Sequence, residues 1–160
     1  MAELEATPEN IRQIALGLLA RREHGRLELR RKLQRRFPDA LALEQVLDDL
    51  ELGGYLSDQR YAESMTRSRS SRGYGPLRVR TELAGKGVGG EMVARALQTQ
   101  ETDWVSLATQ ALRKRFGSSG GETDLALRGK QYRFLAQRGF SAEQIRAALA
   151  AYEASDDSEA

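Results

Sequence analysis

Apolar residues recur along this chain at the spacing of an α-helix. In the first stripe, over residues 11–19, they occupy positions i, i+3, i+4, i+7 and i+8. This spacing puts them on one face of a helix, where they can pack against a core. The preceding Thr7-Pro8 is a typical helix start, because threonine caps the helix and proline fits its first turn. The pattern therefore predicts an amphipathic helix that begins near Pro8.

Eight more stripes of the same kind follow, and glycine or proline separates several of them. We expect nine helices in three triplets, near residues 8–52, 58–98 and 103–152. Asp58 is expected to cap the fourth helix. Trp104 is expected in the core, because it shares the apolar face of the seventh helix. No alternating run is long enough to predict a sheet.

Two segments of the chain repeat each other. Leu83–Val88 and Leu135–Phe140 both begin with Leu-Ala and end with a base, a glycine and an apolar residue, and they lie 52 residues apart. A unit of three short helices is too small to bury its own apolar faces well, so neighbouring units must share them. We therefore predict an all-α fold of three tandem three-helix repeats that form an elongated, curved array.

Charge is distributed unevenly along the chain. The first ten residues hold three acids and the last ten hold four, whereas all 25 bases lie between them and face 16 acids. The body therefore carries a net charge of +9, although the whole chain carries +2. The predicted organisation is an acidic N-terminal tail over 1–10, repeats over 11–53, 54–100 and 101–152, and an acidic C-terminal tail over 153–160.

Arginine makes up 21 of the 25 bases. Its planar guanidinium pairs with carboxylates and phosphates through two hydrogen bonds and stacks on rings. The bias therefore indicates an anionic partner. A genome rich in G and C, which replaces lysine codons by arginine codons, is the alternative explanation.

The composition excludes several classes of enzyme site. The 160 residues include no cysteine and one histidine, His24, which rules out thiol chemistry and sites with two imidazoles. Asp48 and Asp49 are adjacent and so lie on different sides of a helix. The stretch 117–121 lacks the Gly-Lys-Ser/Thr of a P-loop and is expected to be a flexible linker. We expect no enzyme activity, no cofactor and no metal, with His24 at a helix end or on the surface.

Two features argue against a membrane protein. No apolar run approaches the roughly 20 residues of a membrane span. Residues 1–10 carry acids where a signal peptide carries bases. We therefore expect a soluble, cytoplasmic protein with no membrane partner, and we expect a monomer.

Three basic segments are candidate partner-binding surfaces. The first, over residues 21–36, contains eight bases against two acids. A solvated, salt-bridged helix face is the alternative, since Glu28 and Lys32 stand in the i, i+4 order of an ion pair. The candidate contacts in this segment are Arg31, Lys32, Arg35 and Arg36.

The second segment, over residues 67–80, has five arginines and no acid. Its glycines allow a turn into a new helix, whose free N–H groups can hold a phosphate or carboxylate with the help of nearby arginines. Tyr74 is a candidate for stacking on a base or filling a partner's pocket. The alternative is a flexible linker with Tyr74 in the core. The candidate contacts are Arg67, Arg69, Arg72, Tyr74, Arg78 and Arg80.

The third segment is Arg113-Lys114-Arg115, at the end of the helix that contains Trp104. These bases are candidate contacts with an anionic partner. The alternative is that they only complement the negative end of the helix dipole.

Three motifs in the middle of the chain resemble one family. They are Gly54-Tyr55-Leu56-x-Asp58-x-Arg60-Tyr61-Ala62, Arg67-x-x-x-x-Arg72-Gly73-x-Gly75-Pro76 and Leu83-x-x-Lys86-Gly87-Val88. In this order they resemble the RecX regulatory proteins of bacteria, and the likeness covers roughly residues 11 to 150. The resemblance makes the bases that match the family's central motif candidate contacts with a partner, namely Arg60, Arg67, Arg72, Arg78 and Lys86.

The resemblance implies three tandem three-helix repeats and a protein without enzyme activity. It also implies a partner, the RecA recombinase, and above all the RecA filament on single-stranded DNA. Binding would restrain the ATPase, strand-exchange and coprotease activities of RecA, and with them homologous recombination, DNA repair and the SOS response. Single-stranded DNA is a further candidate partner.

Two other functions are compatible with parts of the sequence. A general nucleic-acid-binding protein is one, because three-helix units include helix-turn-helix folds and a basic body binds phosphate without RecA. A small hydrolase that acts through carboxylates is the other, although the sequence offers it no convergent pair of acids.

Overall fold

A computed structural model describes residues 3–39, 41–118 and 124–157 of the chain. Within these ranges all regular structure is α-helical and no strand occurs, so the predicted fold class is confirmed. In the part of the chain that the structure describes, nine helices follow one another in three triplets. Their bounds are α1 (Pro8–Arg21), α2 (Arg26–Arg36), α3 (Leu43–Leu52), α4 (Asp58–Ser71), α5 (Pro76–Gly85), α6 (Gly90–Thr99), α7 (Trp104–Phe116), α8 (Leu125–Arg138) and α9 (Ala142–Asp157).

The helices begin at capping residues that the sequence makes recognisable. The Thr7 hydroxyl accepts a hydrogen bond from the Asn10 N–H at 3.2 Å, and Pro8 follows it at the first helical position. At α9, Ser141 and Gln144 form a reciprocal capping box, with bonds of 2.9 and 3.2 Å. Each cap satisfies backbone donors that have no partner inside the helix.

The expectation for Asp58 is wrong in one respect. Ser57 caps α4, because its hydroxyl accepts from the Arg60 N–H at 3.2 Å. Asp58 instead accepts from the Arg26 N–H at 2.8 Å, and so it caps α2, which begins 32 residues earlier in the chain. Gly25, the residue before α2, has no side chain to do this.

The first triplet has its own hydrophobic core. Helices α1, α2 and α3 each contribute apolar residues at helical spacing, and Leu56 closes the core after α3. The buried members are Ile11, Ala15, Leu29, Leu33, Phe37, Leu43, Val46, Leu47, Leu50 and Leu56.

The third triplet builds a second core from the facing sides of α7, α8 and α9. Its buried members are Ala108, Leu112, Leu135, Phe140, Ile145, Ala148, Leu149 and Tyr152. Trp104 packs against this core but is only half-buried. The indole is therefore structural, as predicted, but it does not reach the full burial expected of a core residue.

The chain forms two compact units, and the middle triplet contributes to both. The first compact unit consists of Met1–Ser64 and Leu83–Ala96, and the second of Met65–Glu82 and Leu97–Ala160. The division falls within α4, α5 and α6, so residues of one helix belong to different units.

The repeated Leu-Ala-x-base-Gly segments are helix ends with the same hydrogen bonds. In the first, the Val88 N–H donates to the Leu83 carbonyl at 3.0 Å; in the second, the Phe140 N–H donates to the Leu135 carbonyl at 3.2 Å. Gly87 and Gly139 take φ of +74° and +93°, the left-handed conformation that closes a Schellman motif. The matched positions in sequence are therefore matched turns in structure.

Gly139 also meets the backbone of another segment in the second compact unit. The Gly75 N–H donates to the Arg138 carbonyl at 2.8 Å, and the Leu77 N–H donates to the Gly139 carbonyl at 2.9 Å. A Cβ atom on Gly75 would lie 2.4 Å from the Gly139 oxygen, and one on Gly139 would lie 2.5 Å from the Cβ of Arg78. Only glycine fits at either position.

Gly139→Ala should therefore lower the free energy of unfolding by about 2–5 kcal/mol, the sum of the positive-φ strain and the steric clash. Urea denaturation followed by circular dichroism measures this change. Gly17→Ala is the matched control, because Gly17 lies inside α1 with nothing within 4 Å of its added Cβ. That change should raise stability by about 0.5–1 kcal/mol. Equal effects of the two substitutions would contradict the assigned contact.

Trp104→Ala should cost about 2 kcal/mol of stability, which is less than the 3–5 kcal/mol of a fully buried tryptophan. The same denaturation experiment measures it. Leu41→Ala provides the control, since Leu41 is fully exposed and its loss should change stability by less than about 0.5 kcal/mol. An unchanged unfolding midpoint for Trp104→Ala would show that the indole does not support the third-triplet core.

Candidate functional site

Two kinds of feature were sought in the described part of the chain, a metal-binding cluster and a membrane-spanning helix. Within it, no group of three or more histidine, aspartate or glutamate side chains is arranged to hold a metal ion. Its helices also include none with the length and apolar character needed to cross a membrane. The basic side chains singled out in the sequence are considered next, segment by segment.

The arginine-rich segment over residues 67–80 is mostly helical. It comprises the end of α4, a turn at residues 72–75 and the first half of α5. Glu82 on α5 pairs with Arg69 at 2.5 Å and with Arg78 at 3.2 Å. The segment is thus folded, as two helices joined by a turn. It is not the flexible linker that was the alternative prediction.

Tyr74 is held inside this segment. The guanidinium of Arg78 lies 4.1 Å from the centre of its ring, and that of Arg138 lies 4.9 Å from it. Arg138 also donates to the Arg72 carbonyl at 3.2 Å. Such cation–π contacts orient the ring and the two arginines together. Tyr74 is half-buried, so it belongs partly to the core and partly to the surface.

The segment contains three other arginines, which carry no ion pair within the described part of the chain. Arg67, Arg72 and Arg80 are exposed, and their guanidinium groups form no ion pair with any residue that the structure describes. These three side chains carry charge that is available to an external anion.

Arg60 and Lys86, which match the family motif, are engaged in the first compact unit. Arg60 pairs with Glu23 at 2.9 Å. Lys86 lies 3.7 Å from Glu28, which also receives two hydrogen bonds from Arg22, of 2.9 and 2.8 Å. The hydrogen bonds from Arg22 hold the pKa of Glu28 below its usual value. Both bases therefore have structural partners as well as partial exposure to solvent.

Helix α2 has one salt-bridged face. Arg26 bonds to Glu44 and Glu51, each at 2.9 Å, and to Asp48 at 2.8 Å, while Arg30 bonds to Glu44 at 2.6 Å. Burial opposes the charge of Arg26, but these carboxylates outweigh it and raise the pKa of the guanidinium. The rest of the helix bears exposed arginines that form no ion pair with the described residues, namely Arg31, Arg35 and Arg36. The basic segment over residues 21–36 thus contains both a solvated, salt-bridged face and exposed arginines without an ion pair to the described residues.

Lys32 and His24 form a pair that the sequence does not predict. His24 lies just after the C-cap of α1, as expected of a residue at a helix end, but the alternative expectation of a surface position is wrong, because His24 is 1% exposed. Its Nε2 atom lies 2.9 Å from the Lys32 Nζ, and its Nδ1 lies 3.0 Å from the Arg22 carbonyl. Burial lowers the pKa of His24 and favours the neutral ring, which can accept a hydrogen bond from the ammonium. Lys32 therefore contacts His24 inside the protein. Glu28, the expected i, i+4 partner of Lys32, pairs with Arg22 and Lys86 instead.

The basic triplet at the end of α7 is exposed. Arg113, Lys114 and Arg115 lie in the last turn, where they complement the helix dipole. The guanidinium of Arg115 lies 5.6 Å from the centre of the Phe116 ring.

A cavity of about 450 Å³ in the second compact unit brings distant candidates together. Arg72 from the arginine-rich segment lines it with Lys114 and Arg115 from α7. Phe134 and Arg138 from α8 complete the wall, although sequence reasoning did not name them as contacts. The signal for Arg138 was present, since it is the base of the repeated Leu-Ala-x-base-Gly segment, at the position of Lys86. The remaining lining residues are Ser70, Ser71, Gly73, Leu107, Gln110 and Ala111.

Comparison with protein families identifies each triplet separately. Residues 12–50 match the first three-helix domain of RecX, residues 57–97 the second, and residues 101–149 the third. The crystal structure of RecX from Lactobacillus salivarius superposes with a TM-score of 0.78 at 22% identity, over 91% of this chain and 96% of that one. This structural likeness supports the fold.

Sequence relatives extend over nearly the whole chain. A protein called Regulatory protein RecX from Halorhodospira halophila is 42% identical over 157 residues, which is 98% of this chain and 97% of that protein. A protein of the same name from Chromohalobacter salexigens is 46% identical over 152 residues, which is 94% of this chain and 95% of that protein. With all three helical domains matched in order and this identity over their full span, the chain belongs to the RecX family of regulatory proteins.

Proposed function

We propose that this chain regulates the RecA recombinase by binding it, above all as the filament on single-stranded DNA. The observation that carries the proposal is the match of all three RecX domains, in order, along the chain. Binding would restrain the ATPase, strand-exchange and coprotease activities of RecA. The protein would act without chemistry of its own, as a cytoplasmic monomer.

The distribution of ion pairs supports an anionic partner. Arg67 and Arg80 are exposed and have no acidic partner among the described residues, whereas Arg69 and Arg78 share Glu82. A guanidinium presents donors in a fixed fork that fits carboxylates and phosphates. Arg67 and Arg80 are therefore the proposed principal contacts of the arginine-rich segment. Arg69, Tyr74 and Arg78 would hold the segment in shape and contribute at its edge.

The other candidate bases can be ranked by the same two properties, exposure to solvent and the lack of an ion-pair partner among the described residues. Arg31, Arg35 and Arg36 are exposed and free of ion pairs with described residues, so they form a second proposed contact surface on α2. Arg60, Lys86 and Lys32 already hold internal partners. These three are proposed as weaker contacts.

A general nucleic-acid-binding function is the second candidate. The observation that favours it is the cavity of the second compact unit, whose described wall contains basic side chains and no acidic ones. On this alternative the chain would bind DNA equally well with and without RecA.

Arg67→Ala/Arg80→Ala should weaken inhibition of the DNA-dependent ATPase of RecA by at least about 30-fold in the concentration required. Truncating a desolvated charged contact typically costs about 2–5 kcal/mol, and each 1.4 kcal/mol is tenfold. The fold should be nearly unaffected, because exposed substitutions change stability by within about 0.5 kcal/mol. ATPase titrations and thermal denaturation measure the two quantities.

Arg128→Ala/Arg146→Ala is the matched control, since it removes the same charge from two exposed arginines outside the candidate surfaces. It should inhibit as the parent does. If the Arg67/Arg80 variant is folded and inhibits as well as the control, the contact with RecA lies elsewhere, with the α2 arginines as the next surface to test.

A further inference from the structure

The chain's one histidine is buried where α1 leads into α2. Both ring nitrogens of His24 lie at hydrogen-bond distance from a polar atom. Nδ1 lies 3.0 Å from the Arg22 carbonyl oxygen, and Nε2 lies 2.9 Å from the Lys32 Nζ. Lys32 is half-buried, so its ammonium stands between this contact and the solvent.

The two contacts determine which ring nitrogen carries a proton. A carbonyl oxygen has no proton to donate, so Nδ1 must carry one. An ammonium has no lone pair, so Nε2 must be free of a proton and accept from Lys32. Lysine keeps its proton in preference to histidine, because the ordinary pKa is about 10.4 for lysine and about 6.5 for histidine. The geometry is therefore that of a neutral ring beside a charged ammonium.

A second proton on the ring would break this arrangement. It can bind only at Nε2, where it would point at the protons of Lys32 and bring two positive charges within 2.9 Å of each other. In a buried site such charges repel strongly, because little water screens them. Burial is the main cause that lowers the pKa of His24; the cations Arg22 and Lys32 lower it further, whereas the Arg22 carbonyl and Glu28 raise it.

The groups around this junction do not offset the added charge. Glu28, the acid that acts on the ring, already pairs with Arg22 and Lys86. Lys32 forms no ion pair with a described residue, so protonation of His24 would leave two cations in contact. The charged and titratable groups that meet here are Arg22 and Glu23 after α1, Arg26, Glu28 and Lys32 on α2, Asp58, Arg60 and Tyr61 on α4, and Lys86 after α5.

We propose that His24 and Lys32 form an acid-sensitive latch at the junction of α1 and α2. While the ring is neutral, it holds the Lys32 ammonium against the junction. Protonation of Nε2 repels the ammonium, which then moves into solvent and loosens the packing of α2. Arg35 and Arg36, which are exposed, follow Lys32 by three and four residues, so the released lysine joins their side of the helix.

The latch thus links the acidity of the solvent to the charge that α2 exposes. At neutral pH Lys32 is held inside, and in acid it adds one positive charge to the surface that carries Arg31, Arg35 and Arg36. The inference goes beyond the proposed function, because the latch needs no partner and can be tested without RecA.

NMR of the full chain can follow the latch, since its one histidine gives a single imidazole signal. The His24 ring should titrate at a midpoint below about 6.5, with the proton on Nδ1 when the ring is neutral. The amide signals of α2 around Lys32 should move with the same midpoint. A ring that titrates at or above this value, or α2 amides that do not respond, would overturn the latch.

Lys32→Met separates the effect of the ammonium from that of burial. It keeps an apolar stem beside the ring but removes the charge and the donor, so the His24 midpoint should shift to higher pH. Lys32→Gln removes the charge and keeps a donor; it should shift the midpoint in the same direction, and it serves if the methionine variant does not fold. Lys130→Met is the matched control, because Lys130 is exposed on α8 in the other compact unit. An unchanged midpoint in both Lys32 variants would show that Lys32 does not act on the ring.

Stability should depend on pH through the same residue. Because the pKa of His24 is lower in the folded chain than in the unfolded chain, the unfolded chain binds the proton first as pH falls below about 6.5. The urea midpoint, followed by circular dichroism, should therefore fall between pH 7 and pH 5. Glu28 and Glu44 stay ionised over this range, because their arginine partners hold the pKa of each below its usual value.

His24→Gln is the variant that isolates the histidine in this experiment. Its amide has a donor and an acceptor for the same two neighbours but does not titrate. The urea midpoint of this variant should change much less than that of the parent between pH 7 and pH 5. An equal fall in both proteins would contradict the latch, because the acid sensitivity would then come from other groups.

Discussion

The contact between Gly75 and Gly139 determines much of what the second compact unit presents to solvent. Two hydrogen bonds join the segment before α5 to the turn after α8, at a distance that excludes any side chain from either glycine. This contact fixes the arginine-rich segment beside α8. Arg138, the residue before Gly139, is thereby placed over Tyr74 and Phe134, and Arg72 is placed in one cavity wall with Lys114. A backbone constraint thus arranges the charged surface.

A second constraint is the shortage of acids near the bases. Glu82 forms ion pairs with two arginines. Arg26 and Arg30 form ion pairs with three acids, Glu44, Asp48 and Glu51. Once these carboxylates are engaged, further arginines at the same surfaces have no partner among the described residues. Surface ion pairs of this kind contribute little stability each, commonly less than about 1 kcal/mol. Their main effect here is to divide the arginines into those that are held in place and those that can meet a partner.

The helices could be predicted because they depend on local interactions. Contacts between segments distant in sequence could not be predicted in this way. Periodicity gave the nine helices, and capping chemistry gave the starts at Thr7 and Ser141, because both depend on residues a few positions apart. Asp58 looked like a cap for its own helix, yet it caps α2 from 32 residues away. Burial of His24 and the meeting of Arg72 with Lys114 also depend on tertiary packing. The candidate site was accordingly predicted as separate basic segments, and the cavity that connects some of them became visible only in three dimensions.

The position of the single tryptophan gives the protein an internal optical reporter. Trp104 is the chain's one indole, it is half-buried, and it lies on α7 in the second compact unit. Its emission therefore senses only that unit, while the far-ultraviolet dichroism of nine helices senses both. Coincident unfolding curves from the two probes would indicate one cooperative transition, whereas separate curves would show that the compact units unfold in different steps. The native chain can thus be examined for cooperativity without any added label.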